Sequence, residues 1–231
     1  MKHLHKSIFI SIIALTTFAC SQPEMEYSTE ATLNSLVDSA SYAVGFQNGF
    51  QLESLDFSDV NVDAYVAGFI TAIESNESII SDDDLRPMFI RFNEYIRDRI
   101  NTENKIKEEN FLSENRTQEG VIETASGLQY KIVTPGEGEN PTPQNTVVVM
   151  YEGRLIDGTI FDSTYGDGQP AEFILGQMIP GWIEGIQLMS PGAEFEFYIP
   201  ADLAYGDNPR PGGPIKPGDT LIFKVELLEI K

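Results

Sequence analysis

The side chains best equipped for chemistry in this sequence lie at its very start. His3 and His5 are the only histidines and Cys20 is the only cysteine. Lys2 and Lys6 precede an apolar run from Ile8 to Ala14, and Leu15-Thr16-Thr17-Phe18-Ala19 leads up to Cys20. A basic start, a short apolar stretch and a small residue before a cut describe an export signal, too short to span a membrane as a helix. Cleavage after Ala19 removes both histidines. It also removes Lys2 and Lys6 and no acid, moving the formal charge from −21 to −23. Ser–His hydrolysis and His-ligated metals are then excluded, and a lone cysteine cannot close an intramolecular disulfide. Carboxylates, hydroxyls, backbone dipoles and shape remain, and neither a cofactor nor a metal is expected.

Taken singly, the remaining candidates are ordinary. Trp182, Phe223 and Phe161 suit the core of a small sheet, which needs aromatic bulk. Asp162 suits a solvated turn, Tyr205 before Gly206 a loop anchor, and Glu194 and Glu196 an exposed strand face. No two acids stand out as a pair facing a cleft, as glycoside hydrolysis requires. The chain of 231 residues is long enough for two modest domains, and 41% hydrophobic residues support a real core. A net charge of −21 argues against nucleic acid as a partner.

The elements that would position these residues fall into two kinds. Residues 20–34 read as a flexible tether. Leu36 to Phe50 carries apolar residues at helical spacing, with Gly45 and Gly49 suited to close approach of another helix. Asn61 is placed to cap a second helix, Val62 to Ile73, and Ser81-Asp82-Asp83-Asp84 to open a third. Pro87 fits that third helix if it begins near Asp83 or Asp84. Leu85, Met88, Phe89, Phe92, Ile96 and Ile100 form its apolar stripe, enough with the first two helices for a small core. Residues from about 101 to 118 are mostly polar all round and read as an exposed helical link. Small cores are marginal alone, so pairing of two chains through residues 35–100 is expected. The domain reading is a signal at 1–19, a tether at 20–34, a helical dimerisation domain with stalk at 35–118, and a last domain at 119–231.

From residue 121 the period changes to two. Leu128, Tyr130 and Ile132 form one alternating face; Val147, Val149 and Tyr151 another; Phe195, Phe197 and Ile199 a third; Leu221, Phe223, Val225 and Leu227 a fourth. This predicts an antiparallel sheet with one covered face. Asp157-Gly158 marks a hairpin. Only Gly181 to Met189, after Pro180, reads as a helix in this half. The fold class is therefore α+β: a curved antiparallel half-barrel on one short helix, preceded by an all-α domain and a long linking helix.

Several motifs in this half occur together. Tyr151-Glu152-Gly153, Gly158-Thr159-Ile160-Phe161-Asp162-Ser163, Ile179-Pro180-Gly181-Trp182-Ile183-Glu184-Gly185, Ala204-Tyr205-Gly206 and Leu221 to Leu227 resemble the FKBP-type peptidyl-prolyl isomerases, in that family's order. Ser41-Tyr42-Ala43-Val44-Gly45, Ala67-Gly68, Phe111 to Asn115 and Gly127 to Tyr130 resemble its Mip-like (macrophage infectivity potentiator) branch, whose members are exported and dimerise through the helical domain. The N-terminus looks like a bacterial lipoprotein signal, with Cys20 lipidated as the new N-terminus and sole membrane anchor, facing the periplasm from the outer membrane. That modification would also remove the free thiol, and with it Cys–His hydrolysis and Cys-ligated metals.

The resemblance implies a catalytic pocket of Tyr151, Phe161, Asp162, Trp182, Tyr205 and Phe223, with Ala171, Phe173, Met178, Ile179 and Ile215 binding substrate. Unfolded or proline-containing polypeptides are the implied partners, and macrolides possible ligands. Ala171 replaces a phenylalanine and Gln177 a glutamate of the best-known single-domain members, and the loop Asp207 to Pro214 is longer by about one residue. Prolyl isomerisation also explains why no histidine is needed, since it breaks no covalent bond. The other reading is a periplasmic holdase with weak or no isomerase activity.

Overall fold

The computed structural model describes residues 31–54, 57, 60–74, 77–166, 168–210 and 212–231. The export signal and Cys20 lie outside them. The chain divides between Ser58 and Asp59 into two compact units.

The first unit contains helix α1, Leu36–Ser54. Ser35 caps it reciprocally: its Oγ accepts from Asp38 N at 3.1 Å, and its N–H donates to Asp38 Oδ2 at 2.9 Å. None of the described side chains of α1 is buried. Tyr42 and Phe46 stack at 6.4 Å, and Phe46 and Phe50 are about two-thirds exposed.

The second unit begins with α2, Val62–Glu74, capped by Asn61, whose Oδ1 accepts from Ala64 N at 2.9 Å. Helix α3, Asp82–Asn115, starts on Ser81, which accepts from Asp84 N. The helix begins slightly earlier than expected, so Pro87 is its sixth residue and the carbonyl of Asp83 loses its helical donor. Among the described apolar residues of α1, α2 and α3, only Ile96 is buried. A Cβ on Gly45, Gly49 or Gly68 would meet nothing within 4 Å.

The remainder is a seven-stranded antiparallel sheet: β1 Val121–Glu123, β2 Gln129–Thr134, β3 Thr146–Leu155, β4 Ile160–Ser163, β5 Ala171–Ile174, β6 Glu194–Ile199 and β7 Leu221–Ile230. The order is β1-β2-β6-β7-β3-β4, with β5 also on β3. The long strand β3 thus carries β5 along its first half and β4 along its second. The hairpin lies at Asp157-Gly158 as predicted: Gly158 takes φ +90°, and Leu155 N donates to Thr159 O at 2.9 Å.

Helix α4, Pro180–Ile186, lies in the concave face with Pro180 in its first turn. It approaches β6 so closely that a Cβ on Gly181 would lie 2.4 Å from Ile199 Cγ2, and one on Gly185 2.6 Å from Phe197 Cε1. Trp182, Ile186, Phe197, Ile199, Val147, Val149 and Leu227 are among the side chains of the resulting core.

Two expectations fail in detail. Ile132 is 44% exposed, near a register shift of β2 against β6. The second face of the sheet is also partly covered, with Gln129, Tyr198 and Ile222 buried. The end of α3 lies there. Phe111 packs on Tyr198 with centroids 6.0 Å apart, Asn115 Nδ2 donates to Gln129 Oε1 at 2.9 Å, and Gln129 Nε2 donates to Leu112 O at 2.9 Å. The polar stretch read as a bare link is helical, but Asn104 and Asn115 are buried. Its polar side chains dock by hydrogen bonding, beside the single ring contact of Phe111.

Candidate active site

Trp182 lies at the centre of the site. Being the third residue of α4, it is carried into the concave face by the close approach at Gly181 and is 2% exposed. Three rings stand nearly perpendicular to it: Phe223 at 5.2 Å and 83°, Tyr151 at 5.3 Å and 88°, and Phe173 at 5.7 Å and 88°. Such edge-to-face pairs add about 0.5–1.5 kcal/mol each beyond area burial. Phe161 extends the wall, meeting Phe223 at 5.5 Å and 83°. The Trp182 Nε1–H is buried with no hydrogen-bond acceptor among the described residues.

Strand register brings these rings together. Gly153 pairs with Phe223 across β3 and β7 and with Asp162 across β3 and β4, and a bulge follows it. A Cβ at Gly153 would lie 2.6 Å from Phe161 Cε2 and 2.7 Å from Phe223 Cε1. Any other residue there would drive the two rings apart. The Tyr151-Glu152-Gly153 motif gives no role to Gly153 by itself; the signal that could have found it is that a glycine in a β-strand marks close approach.

Tyr151 is the polar member of the wall. Its hydroxyl donates to Asp162 Oδ2 at 2.5 Å, and its backbone N–H donates to Thr164 Oγ1 at 2.8 Å. Burial, then the hydrogen bond to Asp162 and that carboxylate's charge, push the Tyr151 hydroxyl well above the ordinary tyrosine range. Tyr151 therefore stays a protonated donor at neutral pH. Asp162 is so placed that it orients the Tyr151 hydroxyl. Thr164 was missed, and no pattern near it marked it.

Ala171, Phe173, Met178, Ile179 and Ile215 all pack half-buried against the same cluster. Ala171 faces Val149 across β3 and β5. Tyr205 stands at the rim, 47% exposed. It lines an adjoining cavity of about 310 Å³ with Pro209, Arg210, Gly213, Pro214 and Ile215. The proline-rich loop had been singled out, but not Arg210 or Gly213. All eleven expected pocket residues thus fall on one concave surface and its rim. Among the described residues no three His, Cys, Asp or Glu side chains cluster to hold a metal, and no helix is long and apolar enough to cross a membrane.

The surface offers no nucleophile paired with a base. It offers a buried aromatic floor, one oriented phenol and one rim hydroxyl, which suit a reaction governed by solvation and shape.

Comparison with known proteins agrees with this geometry. Residues 137–228 match the family model for FKBP-type peptidyl-prolyl cis-trans isomerase, and residues 37–132 match the domain amino terminal to such isomerases. The outer membrane protein MIP of Legionella longbeachae is 39% identical over 213 residues, covering 88% of this chain and 90% of its own. The FKBP-type 22 kDa peptidyl-prolyl cis-trans isomerase of Escherichia coli (strain K12) is 40% identical over 206 residues, covering 87% and 99%. Among solved structures, FkpA from Escherichia coli superposes with a TM-score of 0.64 at 32% identity, covering 87% of this chain and 99% of that one.

Proposed function

The chain belongs to the FKBP-type peptidyl-prolyl cis-trans isomerases and acts on proline-containing polypeptides, and we propose that the pocket built on Trp182 is where it turns the bond. The observation that carries this assignment is the set of three rings standing 5.2–5.7 Å from Trp182, with no acid–base pair aimed at the space they frame.

Resonance gives the amide C–N bond a barrier of about 18–20 kcal/mol. Rotation suspends that resonance, so the carbonyl is less polar at the transition state than in the planar ground state. Water hydrogen-bonds the polar ground state and holds it planar. A proline ring seated on Trp182 between Tyr151, Phe173 and Phe223 loses that water, and the walls favour a twisted amide. Asp162 holds Tyr151 in place, and Tyr205 donates to substrate backbone from the rim. Met178, Ile179 and Ile215 exclude water at the edges. A millionfold acceleration requires about 8 kcal/mol, which these effects share.

In this reading 119–231 is the catalytic domain, and residues 35–100 pair two chains, with the polar end of the 35–118 segment as the link. Support comes from the uncovered Phe46, Phe50, Phe69, Ile73 and Phe89 and from Gly45, Gly49 and Gly68, around which a partner helix has room. The protein is an exported folding catalyst anchored by a lipid on Cys20 and facing the periplasm from the outer membrane. The small Ala171 lowers one wall, and macrolides bind more weakly than where a phenylalanine stands.

The test is a protease-coupled assay of the mature chain on a short Xaa-Pro peptide. Acceleration is expected, and a rate equal to background overturns the assignment.

A further inference from the structure

We infer that Glu108, on the long helix α3, is a positioning residue for Tyr205 and so tunes the isomerase site from the far side of the sheet; this rests on the reading above.

Glu108 Oε2 accepts two hydrogen bonds, from Ala201 N at 2.6 Å and from Thr220 Oγ1 at 2.8 Å. Ala201 and Thr220 are the two ends of the segment that carries Tyr205, Ile215 and the whole lining of the adjoining cavity. Both are 1% exposed. One carboxylate oxygen therefore pins both ends of the loop on the pocket's rim. A charged acceptor makes these the stronger kind of hydrogen bond.

The connection continues to Tyr205 through its neighbour. Gly206 N donates to Ala201 O at 2.9 Å, and Gly206 O accepts from Gly218 N at 3.0 Å. Gly218 has φ +75°, and a Cβ there would lie 2.6 Å from Asn101 Oδ1 and 3.1 Å from Asn101 O. The helix can come that close only because the residue is glycine. On either side of Gly218, Asn104 Nδ2 donates to Pro217 O at 3.0 Å and to Asp219 Oδ1 at 2.8 Å, and Asp219 Oδ2 accepts from Lys216 N at 2.6 Å. Both backbone hydrogen bonds of Gly206 thus end on residues seated against α3. Tyr205 is about half exposed, so its chain neighbours fix its direction more than packing does.

A merely structural contact would lower stability without depending on Tyr205. The experiment is therefore a double-mutant cycle on kcat/KM for a short Xaa-Pro peptide, using the full mature chain: wild type, Glu108→Ala, Tyr205→Phe and the double variant. Glu108→Ala should lose about tenfold, and the double variant should be no slower than Tyr205→Phe alone. Glu108→Gln, whose amide oxygen can accept both bonds, should recover to within about threefold of wild type. If Glu108→Ala does not fold, Thr220→Val, which removes one donor at nearly constant shape, replaces it in the same cycle. An active wild type with unchanged Glu108→Ala (or Thr220→Val in its place), or losses that multiply in the double variant, overturns this inference alone. An inactive wild type overturns the isomerase reading, and this inference with it.

Discussion

The Tyr151 hydroxyl donates to Asp162 Oδ2 at 2.5 Å, joining a buried wall residue on β3 to an exposed carboxylate on β4. Tyr151→Phe frees Asp162 to turn toward water and leaves the ring unfixed. A hydrogen bond to a charged group is worth about 1.5–3 kcal/mol, so kcat/KM should fall by about tenfold or more. Stability should change less, because an exposed Asp162 regains water when the bond is lost. Peptide assays and thermal melts of the variant separate the two.

Gly153→Ala tests whether the wall needs Phe161 and Phe223 in contact. The added methyl would sit 2.6–2.7 Å from both rings. Overpacking of this kind costs about 1–3 kcal/mol. Activity should fall more steeply than stability, because the rings forced apart are the proposed substrate contacts. A variant with wild-type kcat/KM would separate the rings from the chemistry.

The raised Tyr151 and Tyr198 hydroxyls give an alkaline signature. Burial is the main cause in each, followed by hydrogen bonds to Asp162 and Glu196 respectively. Above pH about 10 unfolded tyrosines ionise while these two stay protonated in the folded chain. The folded state then holds more protons, so stability is full below that pH and falls as pH rises further. Tyrosinate absorbance should show two hydroxyls titrating last, one of them missing in Tyr151→Phe. Between pH 6 and 9 kcat/KM should be flat.

The helical segments predict a dimer. Light scattering of the mature chain should give twice the chain mass. Phe46→Glu with Phe69→Glu should halve it while leaving activity on a short peptide unchanged, since neither residue is among those assigned to the pocket. A monomeric wild type would remove the role given to those faces.

Much of this was legible in the sequence because alternation and turn chemistry are local. The hairpin at Asp157-Gly158, the Pro180 helix start and the Asn61 and Ser81 caps follow from such signals. The pocket residues emerged because several motifs agreed, not because any aromatic announced itself. What was hidden depended on register and on distant contacts. Gly153 matters through rings brought beside it by β4 and β7. Glu108 looked like one more solvated acid in a polar helix, and its partners are 93 and 112 residues away. The apolar stripe of α3 tells that a face needs covering, but not what covers it.

The central claim is that a dry aromatic pocket turns the prolyl bond without moving a proton. Exchange NMR on an Xaa-Pro peptide with substoichiometric protein, run in H2O and in D2O, tests it most directly. The account predicts cis–trans exchange far faster than the uncatalysed tens to hundreds of seconds, with rates in the two solvents nearly equal. No acceleration, or a rate several-fold slower in D2O, would contradict it.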